Sequence, residues 1–246
     1  MRTISLASLF VTTLFAACTA EQPTTPGTDE LAGENGQDGE AAKADGVDNF
    51  GFMSVTPTTC SGPVIWCSQY TLARVNRTTT PCFGGSTAAN CPVHDIDWAA
   101  MNLSQTTIDS LTKAIGKASD SNVQVLVRGS FKSFVEFTSF EPTEVWLAQR
   151  DGGKSTGTFV RIFDRGIKCI TAPCPQFSEG RLNSTRAMNI DGFDFNGVSD
   201  ALEGDIYDAT SKGSGVIVVG DRTTRSAVSF VEELRTVNQA FLPVTK

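Results

Sequence analysis

The chain has 246 residues, 40% of them hydrophobic, with seven cysteines, one histidine and a formal charge of −7. No apolar run reaches the roughly 18 residues of a membrane-spanning helix, and the net acidity has the wrong sign for a nucleic-acid binder. At about 100 to 200 residues per domain the length fits one large or two small units, with enough apolar residues for real cores.

Met1-Arg2 supplies one positive charge, Ile4 to Ala17 is an apolar run, and Phe15-Ala16-Ala17 sets small side chains before Cys18. This is the make-up of a secretory signal. It resembles the lipobox of bacterial lipoproteins, which implies cleavage after residue 17, acylation of Cys18 and a membrane anchor. Phe15 alone departs from that pattern, where leucine is usual. Thr19 is not the aspartate that retains such proteins at the inner membrane, so the resemblance implies the outer membrane, on its periplasmic side or at the cell surface. Residues 18–50 are then an acidic tether. They hold eight acidic residues against Lys43 alone and almost no large apolar side chain, too little to offset the entropy of ordering. Such a spacer reaches about 30 Å. Residues 51–246 carry 18 basic and 19 acidic residues, so the acidity belongs to the tether.

Two stretches 107 residues apart match: Cys67-Ser-Gln-Tyr-Thr-Leu-Ala-Arg74-Val-Asn76-Arg-Thr78 and Cys174-Pro-Gln-Phe-Ser-Glu-Gly-Arg181-Leu-Asn183-Ser-Thr185. Further matches follow in the same order: Phe52 with Phe159, Ile96-Asp97-Trp98 with Phe193-Asp194-Phe195, and Val125 to Gly129 with Val216 to Gly220. The offset falls by ten where the first copy carries the segment Pro81 to Cys91. The pattern predicts two homologous units, residues 51–150 and 151–246.

Each unit reads as a strand (Phe52 to Val55; Phe159 to Phe163), a cysteine-bounded loop, a second strand (Tyr70 to Asn76; Phe177 to Asn183) and a third (Ile96 to Trp98; Ile190 to Phe195). A helix follows. Ile108, Leu111 and Ile115 recur at helical spacing after Ser104, and Asp200 with Glu203 reads as a capping box ahead of Leu202 and Ile206. A fourth strand ends at Gly129 or Gly220, and a fifth includes Val145 to Leu147; Phe230 to Phe241 fits strand or helix, and the duplication favours strand. The expected fold class is mainly β with one helix per repeat: two tandem OB-like five-stranded barrels, each with a helix between strands 3 and 4. An α+β sheet with one covering helix per repeat is the competing architecture.

With Cys18 assigned to lipid, six cysteines remain outside the cytoplasm, where disulfides persist. The duplication predicts three local clamps: Cys60 with Cys67, Cys82 with Cys91, and Cys169 with Cys174. The lipobox, the Ala-Gly-Glu-Asp-rich tether, the Cys-Ile-Thr-Ala-Pro-Cys-Pro loop at 169 to 175 and the Ile-Asp-Trp segment before the helix together resemble an uncharacterised family of myxobacterial secreted proteins with a domain of unknown function. That resemblance implies an extracytoplasmic lipoprotein and no catalytic residue.

No chemistry assembles in the sequence. Strand alternation sets His94 on the face opposite Asp95 and Asp97, so neither orients it as a base. Ser110 and Lys113 match S-x-x-K without the partner motifs. Asp194, Asn196, Gly197, Asp200 and Glu203 match part of a calcium loop whose first position would be Gly192, and turn and cap chemistry accounts for them. Arg74, Arg181, Asn76 and Asn183 share a strand face, which predicts an Arg–Asp and Asn–backbone network with Asp97 and Asp194. Pro63, Trp66, Tyr70, Arg74, Phe177 and Arg181 are the candidate ligand-binding residues, because aromatics beside a rigid loop suit a sugar ring or an extended peptide. No metal, cofactor or nucleic acid is expected. The expected function is a lipid-anchored, non-catalytic binding or structural module for an extracytoplasmic protein or glycan. The alternatives are a protease inhibitor presenting the loop from Cys169 to Cys174, and a hydrolase of unrecognised type.

Overall fold

The computed structural model describes residues 49–59, 67–134, 137–149, 154–196, 198–226 and 229–245. The predicted signal segment, Cys18, nearly all of the tether, Cys60, Pro63, Trp66 and Gly197 lie outside them. The first half comprises β1 (Met53–Pro57), β2 (Tyr70–Arg74), β3 (Thr80–Pro81), β4 (Thr87–Ala88), β5 (Cys91–Val93), β6 (Asp95–Ile96), α1 (Gln105–Ile115), β7 (Val125–Phe134) and β8 (Phe137–Ala148). The second comprises β9 (Thr158–Asp164), β10 (Phe177–Arg181), β11 (Ala187–Ile190), β12 (Gly192–Asp194), α2 (Asp200–Thr210), β13 (Val216–Gly220), β14 (Arg222–Ser226), β15 (Val231–Thr236) and β16 (Gln239–Pro243).

These strands do not close into two barrels. Ten of them form one curled sheet in the order β11-β10-β9-β13-β16-β8-β7-β1-β2-β5, with β6 pairing in parallel to β8 off that path. The OB-like expectation fails at the last strand of each half: β8 and β16 pair antiparallel with each other, Leu147 opposite Leu242, instead of closing back on their own halves. The strand order is the same read from either edge toward this central pair. A further sheet of β12, β15 and β14 lies in the second half.

The reason is written in burial. Val125, Leu126 and Val127 of β7 and every residue of β13 are buried, so these strands need cover on both faces. On one face, Val125, Val127, Val145, Leu111 and Ile115 form a core under α1, and Val160, Ile162, Val216, Val218 and Ile206 form its counterpart under α2. On the other face, Phe52, Leu126 and Trp146 from the first half meet Phe159, Ile217 and Phe241 from the second in one shared cluster. A barrel with a solvated outer face would leave half of these side chains in water.

Both helices start as the sequence suggests, with one change. Ser104 caps α1, accepting from the Thr107 N–H at 3.2 Å. The cap of α2 is Ser199, accepting from the Leu202 N–H at 3.4 Å, so Asp200 and Glu203 sit in the first turn, where the helix dipole favours acids. The segment from Phe230 to Phe241 forms no helix: it carries β15 and the start of β16, with Val237 and Asn238 between them.

The second strands end two residues before the expected asparagines. Asn76 and Asn183 occupy the turns that follow β2 and β10, both with φ near the left-handed region (58° and 57°), which asparagine tolerates better than most residues. Each side chain then reaches across to the other half. Asn183 Nδ2 donates to the Phe52 and Val75 carbonyls (2.7 and 2.9 Å), and its Oδ1 accepts from the Phe52 N–H (3.0 Å). Asn76 Nδ2 donates to the Phe159 and Leu182 carbonyls (2.7 and 3.1 Å), and its Oδ1 accepts from the Phe159 N–H (2.9 Å). Arg77 Nε adds a 2.6 Å bond to the Asn183 carbonyl.

Asn183→Ala takes the Asn183 partner from the Phe52 N–H and the Val75 carbonyl and leaves the Phe52 carbonyl only its 3.3 Å bond from the Val75 N–H, and is expected to destabilise by about 2–4 kcal/mol, a fall in Tm of roughly 5–15 °C by calorimetry. Asn183→Asp keeps the shape but removes both donations, so it should be no milder; a change within 1 °C for either variant would overturn the clamp. Glycines give a second contrast. A Cβ on Gly220 would lie 1.9 Å from the Thr236 carbonyl oxygen and one on Gly129 2.1 Å from that of Glu141, whereas one on Gly204 in α2 meets nothing. Gly129→Ala and Gly220→Ala should each lower stability by about 3 kcal/mol or more, and Gly204→Ala should raise it by about 0.5–1 kcal/mol in denaturant titrations.

Candidate functional site

Two exposed phenylalanines, Phe83 and Phe137, stand on the first half, the second of them beside His94. Tyr70 opens β2 opposite Val93 of β5, and His94 follows directly. The His94 N–H donates to the Thr138 carbonyl at 2.8 Å, its Nδ1 accepts from the Thr138 N–H at 3.2 Å, and its ring stands edge-on to Phe137 at 4.9 Å. A backbone amide and an aromatic ring therefore fix this imidazole, and Asp95 and Asp97 are exposed around it. Phe137 is 37% exposed and Phe83 48%. Phe83 stands on a 3-10 turn, Phe83–Gly85, inside the Cys82–Cys91 disulfide, and this turn lies against β7. Sequence reasoning missed Phe83 and Phe137. The available signal was a phenylalanine inside a short cysteine-bounded segment and another at a hairpin tip, places where a core residue has nothing to pack on.

The candidate ligand-binding residues that are described fall in both halves, Tyr70 and Arg74 on β2 and Phe177 and Arg181 on β10. Phe177 is buried at 4% exposure, packed on Phe193 and Tyr207 at 5.0 and 6.0 Å between ring centroids. Arg74 and Arg181 end β2 and β10, each next to an edge strand at opposite ends of the ten-strand order. Asp97 caps the 3-10 turn Trp98–Met101, accepting from the Ala99 N–H at 3.0 Å. Ser110 Oγ donates to the Thr106 carbonyl at 2.9 Å, an ordinary helix-surface contact. A buried ion pair is one the sequence did not suggest: Arg235 of β15 donates from Nη2 and Nε to the two carboxylate oxygens of Glu179 of β10, at 2.7 and 2.9 Å.

In the second half the chain from residue 164 to 173 is exposed throughout, and Cys169–Cys174 closes its tip. The stem is held by Arg165, whose N–H donates to the Gln176 carbonyl at 2.9 Å and whose Nη1 donates to that of Pro175 at 2.8 Å. Ile170 stands at 102% relative exposure and Ile167 at 39%. Behind them Phe163, Arg165, Ile167, Lys212 and Gly213 line an open cleft of ≈ 450 Å³. Cys67 is disulfide-bonded as well, while its predicted partner Cys60 lies outside the described residues.

Both tyrosines of the chain carry a shifted pKa. Tyr70 is raised above its ordinary 10.0 by burial and then by the nearby Asp95 charge, and Tyr207 by burial and then Glu203. The folded state thus favours the neutral phenols, so this contribution to stability is present below pH 10 and is lost as pH rises through the folded values. Absorbance at 295 nm should show both phenolates forming above pH 10 in the folded chain and near 10 in guanidinium; a native midpoint at or below 10 would contradict the packing of both rings.

No curated protein and no solved structure matches this chain. A family model described as a domain of unknown function, DUF6748, matches residues 55–246, which spans both halves of the sheet from β1 to the last strand. The chain belongs to the DUF6748 family.

Proposed function

We propose that the chain is a lipid-anchored lipoprotein of the outer membrane, a non-catalytic module that binds an extracytoplasmic protein or glycan through the aromatic rim of its first half. The observation that carries this reading is exposed Phe137 standing edge-on to His94, with half-buried Tyr70 and Asp95 on the neighbouring strands and exposed Phe83 on the disulfide-closed turn of the same half. Aromatic faces with a few polar groups between them suit sugar rings and peptide side chains alike. The lipobox and Thr19 support the anchor and the membrane. We also infer that the two halves descend from one duplicated unit; the strand order about the β8–β16 pair and the reciprocal asparagines support it.

A protease inhibitor is the second reading, favoured by the disulfide-closed loop with Ile170 fully exposed. Titrating the protein with soluble envelope glycan and with envelope extract on a sensor surface tests the first reading. Phe83→Ala with Phe137→Ala should weaken capture about tenfold or more, as loss of two anchoring aromatics does. Equal capture by the double variant would overturn the rim as the contact face. Inhibition of any member of a serine protease panel, abolished by Ile170→Asp, would replace the first reading by the second.

A further inference from the structure

The loop from 165 to 176 is a different surface from the rim, and its chemistry points to a different occupant. Its tip is convex and apolar: Ile170 has no neighbour covering it, and Ile167 flanks it at 39% exposure. Exposed Arg165 and Lys168 precede the tip in the chain, and the sequence from 165 through 178 contains no acid. Asp164 stands at the stem, lining the cleft, where its Oδ1 accepts from the Gly166 N–H at 2.7 Å, and Lys212 on the same cleft pairs with Asp208 across one turn of α2. The arrangement is an apolar point backed by cations, held stiff by Cys169–Cys174 and by the Arg165 bonds to Pro175 and Gln176.

We propose that this loop docks on an anionic phospholipid surface, Ile170 entering the headgroup–acyl boundary while Arg165 and Lys168 stay at the level of the phosphates. A folded protein partner must supply a hollow shaped to a single projecting isoleucine and seal about 800 Å² on each side, whereas a bilayer accepts a convex apolar tip of any shape. Basic side chains at an anionic surface and apolar area at the boundary add to each other. Stiffness matters as well, because a preformed tip enters without first losing loop entropy. One isoleucine and two cations bind weakly by themselves. On an acylated chain the anchor would keep the folded residues near the bilayer, where high effective concentration makes a weak contact persist.

The test places a reporter at the tip. In the full chain, Ile170→Trp is compared with Phe83→Trp, an exposed position in the other half, by quenching with lipids brominated near the top of the acyl chain, after subtracting the native tryptophans. Vesicles are either phosphatidylcholine alone or phosphatidylcholine mixed with phosphatidylglycerol. The expected result is quenching of the tryptophan at 170 that exceeds that at 83, on the anionic vesicles above the neutral ones. Adding Lys168→Glu should raise the lipid concentration for half-maximal quenching about tenfold, the effect of reversing one charge at such a surface. Quenching at 170 no greater than at 83, or equal on both vesicle types, overturns the proposal. Unchanged circular dichroism of the variants secures either outcome against misfolding.

Discussion

The reciprocal exchange between Asn76 and Asn183 is the contact on which the rest of the structure depends. An asparagine amide carries the same donor and acceptor as a peptide group, so it can take the place of a neighbouring strand where none exists. Here each amide does so at the start of the other half's first strand, pinning the backbone at Phe52 and Phe159. Those two phenylalanines belong to the shared cluster with Leu126, Trp146, Ile217 and Phe241. Polar clamp and apolar contact therefore close the same seam. Opening it would strand buried backbone groups and expose large aromatic side chains together, and the two penalties reinforce each other. The described residues of both halves accordingly form one cooperative body whose sheet runs through without a break.

Two glycines set the shape of the sheet at corresponding places. Gly129 lies where the β7–β8 pairing shifts register, and Gly220 ends β13 where β14 departs into the smaller sheet. Both let a crossing carbonyl approach closer than any Cβ would permit. In the first half the result is a bulge within one long hairpin; in the second the hairpin divides. The Arg235–Glu179 pair then fixes β15 over β10. Its charges are both nearly buried, at 6% and 4% side-chain exposure, so desolvation offsets much of their attraction. Its contribution is to placement more than to stability: a buried arginine fork accepts one geometry of its carboxylate.

Much of this was legible locally and little of it globally. Helix positions followed from spacing and the α1 cap from Ser104, whereas α2 is capped by Ser199, one residue before Asp200, and the internal match of Cys and Asn identified residues the structure uses. What failed was the inference that each half is complete. The run Val216-Ile-Val-Val carries apolar side chains on both faces, and so does Val125-Leu-Val. A barrel needs one such face, and these segments have two. That excess was the available sign that the second face meets another layer. The strand expectation runs on through Val75 and Leu182 to the asparagines, whereas the turn that follows each strand needs a residue that tolerates positive φ. Partners separated by 83 to 131 positions, as in the asparagine bonds, leave no trace in local periodicity.

What the halves share is also what holds them together: the first-strand phenylalanines, the turn asparagines, the crossing glycines and the helix on each outer face. A residue fixed in that framework can move little without loosening the seam, so it is poorly placed to adapt to a ligand. Adaptable surface lies where the halves differ. The first carries the segment Pro81 to Cys91 with Phe83 raised on its own disulfide, and a long uninterrupted hairpin ending near Phe137. The second carries Ile170 on a shorter braced loop and a divided hairpin. Both projecting features are stiffened by a local disulfide rather than by the core, which separates their shape from the fold beneath. A loop and a turn built this way can change chemistry without disturbing the clamp, so surface chemistry can vary at these asymmetric parts while stability rests on the symmetric ones.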